Sequence, residues 1–136
     1  MVVVDTSVLV DWDRGRSNAE TNWLRNHLQA EEIAITDLIL CEALRGCRDE
    51  AQARRLEGWL ALFRLLHGAS PELARDAAAK YRTLRQAGIT VVSIVDCLTA
   101  AFCLHEGHSL LHRDHDYDAF EKRFGLAVIH PGEARA

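Results

Sequence analysis

Apolar residues fall along the chain in two patterns, short unbroken runs of three or four and longer stretches at helical spacing, and the two alternate from end to end. Val2-Val3-Val4 opens the chain with a β-branched run that has no polar relief, as expected of a strand buried on both faces. Thr6 then offers an N-cap for a helix carrying Val8, Leu9, Val10 and Trp12. Ser17-Asn18-Ala19-Glu20 has capping-box spacing ahead of a second helix with Trp23, Leu24 and Leu28. Ile33-Ala34-Ile35 predicts another strand, and Thr36-Asp37 caps a third helix that reaches Arg45 and stops at Gly46. That helix is an apolar patch interrupted by one acid, Glu42, so burial over most of its surface is expected.

The second half repeats the pattern. Asp49-Glu50-Ala51-Gln52 starts a helix through Leu56, Trp59 and Leu60, and Phe63-Arg64-Leu65-Leu66 reads as a short extended run of ambiguous type. Ser70-Pro71-Glu72 marks a helix start, with proline at the first helical position, and the helix continues to Gly88. Ile89-Thr90-Val91-Val92 is expected to be extended. Ser93 caps a further helix, placing Asp96 at its third position, and Gly107 ends it. Ser109-Leu110-Leu111-His112 predicts a strand, Phe120 to Phe124 a helix closed by Gly125, Leu126-Ala127-Val128-Ile129 a last strand, and Pro131 onward a tail. With no internal repeat or linker, strands alternating with helices predict one α/β domain over 1–136, a parallel sheet flanked by helices.

The totals fit a soluble globule: 136 residues, 49% apolar and 26% charged. The opening run is too brief, and too soon followed by Asp5, for a signal peptide, and no apolar stretch has the length of a membrane span, so a cytoplasmic protein without membrane contact is expected. Cys41, Cys47, Cys97 and Cys103 lack CxxC spacing and read as reduced, buried thiols. A net charge of −4 gives no broad basic footprint for nucleic acid. It does not exclude nucleic acid either, because a cluster of acids lowers the total, and only Lys80 and Lys122 among the 16 basic residues are not arginine.

Four acids occupy comparable places: Asp5 after the first strand, Glu42 on the third helix, Asp96 in a first helical turn, and Asp114 after a late strand. Each has an ordinary role open to it. Asp5 can cap the first helix, Glu42 can pair with Arg45 in solvent, and Asp96 can sit in a helix dipole for about 0.3–1 kcal/mol. Asp114, Asp116 and Asp118 point one way if their segment is extended; if it is helical, Asp114 and Asp118 share a face. A parallel sheet, however, gathers strand ends at one edge, where ligands bind. Two carboxylates about 4 Å apart repel by roughly 4 kcal/mol at an effective dielectric near 20, so a cluster there needs a proton or a cation. An all-oxygen donor set suits Mg²⁺ or Mn²⁺.

In these pieces, Val4-Asp5-Thr6-Ser7, Glu42 followed by Arg45-Gly46, Asp96 followed by Leu98-Thr99-Ala100-Ala101, and Leu110 through Tyr117, the sequence resembles the PIN-domain nucleases, and within them the VapC-type toxins of bacterial type II toxin–antitoxin systems. The resemblance covers nearly the whole chain. It implies a metal-dependent endoribonuclease acting on RNA such as tRNA or rRNA, a VapB-type antitoxin and a homodimer. Carried over by position, Asp5, Glu42, Asp96 and Asp114 form the acidic quartet, with Asp5, Asp96 and Asp114 as ligands of Mg²⁺ or Mn²⁺. Asp116 is then a supplementary acid, and Ser7 a hydroxyl that orients Asp5. Arg14, Arg45 and Arg113, with Arg16 and Arg48, are candidates for phosphate contact. Tyr117 stands where Phe is more usual and Cys97 where Ala is frequent; neither is expected to touch the metal chemistry.

Two other readings compete. An aspartyl phosphoryl-transfer protein of the haloacid-dehalogenase type wants a second acid two residues after Asp5, where Ser7 stands, and a receiver domain wants a lysine at the sheet edge, whereas Lys80 and Lys122 fall in predicted helices. A non-catalytic RNA- or protein-binding module would use the same acids as caps and surface charge, and would show no metal-linked stabilisation.

Overall fold

In a computed structural model that describes residues 1–132, the opening apolar run forms strand β1, Val2–Val4, and all of it is buried. Three further strands follow: β2, Ile33–Thr36; β3, Arg64–Leu66; and β4, Ser109–Leu111. They form one sheet in the order β3-β2-β1-β4 with every pairing parallel. Val3 sits opposite Ala34 on one side and Leu110 on the other. Because β1 and β2 are buried along their whole length, both faces of the sheet are covered by helices, as parallel pairing demands. β3 is an edge strand, with Arg64 and Leu65 exposed.

Among the described residues, seven α-helices connect and flank the strands: α1, Thr6–Asp13; α2, Ala19–His27; α3, Asp37–Arg45; α4, Glu50–Leu60; α5, Pro71–Gln86; α6, Ile94–Glu106; and α7, Asp118–Phe124. A 3-10 turn, His115–Tyr117, precedes α7. Most begin where a side chain can take an orphan backbone N–H. Thr36, Asp49, Ser70 and Ser93 each accept such a bond at the start of α3, α4, α5 and α6. The core runs through Val3, Val4, Leu24, Ile35, Ile39, Leu110, Leu111 and Phe120, all sealed from solvent.

Several local expectations are corrected. The cap of α1 is Asp5, whose backbone is extended and whose side chain accepts from Ser7 N, while Thr6 is already helical. The capping box of α2 uses Asn18 and Thr21 rather than Ser17 and Glu20. Ile89–Val92 forms no strand, and of Leu126–Ile129 only Val128 makes an isolated bridge, to Leu110. α3 is not buried over most of its surface: Ile39 and Ala43 are buried, five residues including Glu42 are half-buried, and Cys41 and Arg45 face solvent. The four thiols are free, but just Cys97 and Cys103 are buried. Of the tail expected from Pro131, residues 133–136 lie outside the described residues.

Candidate metal centre

The sheet order places a switch point between β1 and β4, since the chain leaves β1 toward β2 and β3 on one side and returns to β4 on the other. Open parallel sheets bind ligands beyond the carboxyl ends of strands at such a point. Asp5 follows β1 directly, and its N–H donates to Leu111 O at 3.0 Å, so the ends of β1 and β4 are joined there. Asp96 arrives in the first turn of α6, and Asp114 three residues past β4.

All five acids converge. Carboxylate oxygens of Asp5, Glu42 and Asp96 lie within 4.8 Å of one another, as do those of Asp96, Asp114 and Asp116. Asp96 belongs to both groups and is therefore the centre of the constellation. Asp5 and Asp96 are buried, while Glu42, Asp114 and Asp116 are half-buried at the mouth. Asp118 is exposed. Asp114 has extended backbone and caps the 3-10 turn by accepting from Asp116 N at 3.0 Å, which folds Asp116 back to it and sends Asp118 outward.

Hydrogen bonds fix the inner carboxylates. Ser7 donates to Asp5 Oδ2 from both its N–H, at 3.0 Å, and its hydroxyl, at 2.6 Å. The same hydroxyl accepts from Arg113 N at 2.9 Å, linking α1 to the segment after β4. Asp114 N donates to His112 Nδ1 at 3.0 Å. Tyr117 corrects the expectation that it stays out of the chemistry. Its wholly buried phenol lies 2.7 Å from Asp5 Oδ1 and 3.0 Å from Asp96 Oδ1. A reader of the sequence sees an aromatic at a core position; the signal that could have found it is that a buried tyrosine hydroxyl must find a partner.

Burial and the neighbouring Asp5 charge push the Asp96 carboxyl up to about 7, with Asp114 adding to the rise and the Tyr117 hydrogen bond opposing it. One phenol proton cannot serve two oxygens fully. Tyr117 is the donor toward both carboxylates, so the oxygen it serves less well is left short of positive charge. A hard divalent cation supplies positive charge there, and the two triads of carboxylate oxygens that share Asp96, each within 4.8 Å, make an all-oxygen donor set of the kind that fits Mg²⁺ or Mn²⁺.

The arginines divide. Arg14 and Arg45 are exposed. Arg113 is exposed as well, but its guanidinium is engaged, donating to Asp11 Oδ2 at 2.6 Å and lying 3.5 Å from Glu20. Asp11 is buried and also receives Arg16 at 3.2 Å and Asn18 Nδ2 at 3.1 Å. Although burial raises the Asp11 carboxyl, the bonds and charges of Arg113 and Arg16 outweigh it and hold the group below its ordinary range. Arg48 lies 3.6 Å from Asp49 on the surface.

A parallel four-stranded sheet with an acidic cluster at its switch point defines a class. The PIN domain family profile matches residues 2–123, and the chain belongs to that family. Within it, Ribonuclease VapC11 of Mycobacterium tuberculosis is 35% identical over 131 residues, covering 90% of this chain and 92% of its own. Two solved structures share the fold. VapBC2 from Rickettsia felis, bound to a DNA fragment from its promoter, has a TM-score of 0.73 at 17% identity and covers 95% of this chain and 98% of its own. VapC20 of Mycobacterium tuberculosis, a sarcin-ricin loop cleaving toxin, has a TM-score of 0.65 at 17% identity, covering 88% of this chain and 94% of its own. No helix among the described residues is long and apolar enough to cross a membrane.

Proposed function

We propose that the chain is the toxin of a type II toxin–antitoxin pair, an endoribonuclease that hydrolyses RNA, such as tRNA or rRNA, with Mg²⁺ or Mn²⁺ held by Asp5, Asp96 and Asp114. The observation that carries this reading is the meeting of five carboxylates around the buried Asp96. Such a cation supplies a water of lowered pKa and positive charge opposite the phosphoryl oxygens. The chain's own groups do the rest. Asp5, gripped by Ser7 and Tyr117, and Asp96, at the start of α6, form the rigid floor of the site. Glu42 and Asp116 flank it from opposite groups and are placed to orient the attacking water or accept its proton. Arg14 and Arg45, exposed, take phosphates of the RNA. Arg113 meets substrate from a position set by Asp11.

The VapBC2 complex of Rickettsia felis supports a VapB-type antitoxin as partner, and the reading extends to a cytoplasmic homodimer. Exposed Trp59, Leu62, Leu65, Val92 and Ile94 are surface that protein partners would cover. A Mn²⁺ titration tests the enzyme. Binding to the folded state alone stabilises it by about 2.7 kcal/mol at roughly 100 times the dissociation constant. The melting temperature of the native chain should rise with Mn²⁺ and RNA should be cleaved; Asp5→Asn with Asp96→Asn should lose both. An unchanged melting response in the double variant would overturn the reading.

A further inference from the structure

We propose that Tyr117 is a positioning residue for the cation: its phenol cross-braces Asp5 and Asp96 and thereby sets how tightly the site holds a divalent ion. This rests on the metal-site reading above. Asp5 and Asp96 come from different elements, the end of β1 and the first turn of α6, and Tyr117 is the group that bridges them, at 2.7 and 3.0 Å. The lone pairs of Asp5 identify which oxygen is at stake. Oδ2 already accepts two bonds, from Ser7 N and Ser7 Oγ, which uses both of its sites. Oδ1 accepts one, from Tyr117, and keeps one lone pair for a cation. The phenol therefore touches the oxygen that must ligate.

Packing does not require that oxygen. The ring is fully buried against His112, with centroids 4.8 Å apart, and phenylalanine would fill the same volume. The ring is itself held in place, because Tyr117 N donates to Asp114 O at 3.2 Å. The phenol is thus fixed to the same turn that supplies Asp114 and Asp116, and it ties the three acid-bearing segments into one frame. Without the hydroxyl, Asp5 and Asp96 can turn about their side-chain bonds, and the cation must order them as it binds.

Tyr117→Phe is the test, since it removes one oxygen and keeps the ring. Calorimetric titration of the full chain with Mn²⁺ alone should show a dissociation constant raised by roughly tenfold, the low end for loss of a group that orients a ligand. The Mn²⁺ concentration giving half-maximal RNA cleavage should rise by the same factor, and far-UV circular dichroism of the metal-free variant should match the native chain. A variant that binds Mn²⁺ as tightly as the native chain overturns the proposal and leaves the metal-site reading standing. A native chain that takes up no Mn²⁺ removes both.

Discussion

Asp96 carries the electrostatic tension of the site. Its folded-state carboxyl titrates near 7, mainly through burial and then through the Asp5 charge, whereas an unfolded chain releases that proton near the ordinary value of 3.8. The folded protein therefore holds a proton that the unfolded chain lacks throughout the window between those values. Stability from this group is greatest at the acid end, falls as pH rises through the window, and is fully lost above about 7. Asp96→Asn removes the penalty. In the presence of a chelator, that variant should melt above the native chain at about pH 8, and the difference should shrink toward about pH 4. A difference independent of pH would count against the assignment. The same substitution should cost the metal response, a trade of stability for function common in active sites. Thiols make a second residue-scale test. Cys41 is exposed and should react with a thiol reagent in the native protein. Burial pushes Cys97 up to about 11 and Cys103 up to about 12, so both should react only on unfolding.

At the scale of elements, the site depends on how helices are seated. α3, which carries Glu42, starts at Thr36, a wholly buried residue whose hydroxyl accepts from Ile39 N at 3.2 Å. Gly68 packs against it so closely that an added Cβ would stand 2.7 Å from Thr36 Cβ, and Gly68 N donates to Asp37 Oδ1 at 3.0 Å. Neither partner has slack. Gly68→Ala should destabilise by about 1–3 kcal/mol in chemical denaturation. By moving the start of α3 it should also weaken Mn²⁺ binding. Asp11 does the corresponding work for the segment after β4, holding Arg113, Arg16 and Asn18 together. Arg113 is partly exposed, so solvent screens that pair; Asp11→Ala should cost about 1–3 kcal/mol, read from denaturation midpoints. Asp11→Asn, which keeps some of the bonds, should cost less.

For the molecule as a whole, topology brings distant acids together. Asp5 and Asp114 are separated by more than a hundred residues, yet β1 and β4 pair in parallel, with Val4 opposite Leu111, and the two acids follow those strand ends. Glu42 and Asp96 come in because α3 packs on α1 and α6. Like charges brought this close oppose folding, and the Asp96 rise, set first by burial and next by the Asp5 charge, carries part of that cost. A bound cation reverses that opposition, which is why metal-linked stabilisation reports on the whole constellation rather than on one ligand.

The sequence alone determined what local rules govern. Short aliphatic runs that follow a turn and end at a helix cap favour buried strands, so β1, β2 and β4 were legible. Caps act within four residues, so the starts of α3, α5 and α6 were too. The identity of the acids was legible through their places after strands and in first turns, and through the family resemblance. Tertiary structure decided what depends on a neighbour. Ile89–Val92 and Leu126–Ile129 have strand-like composition, but a strand exists only where another offers a ladder, and the sheet supplies just one bridge, from Leu110 to Val128. Whether Asp116 or Asp118 joined Asp114 turned on a single extended residue before a 3-10 turn. Tyr117 looked like core, and is core; its hydroxyl became part of the site only because the fold set two carboxylates against a ring that could not reach water.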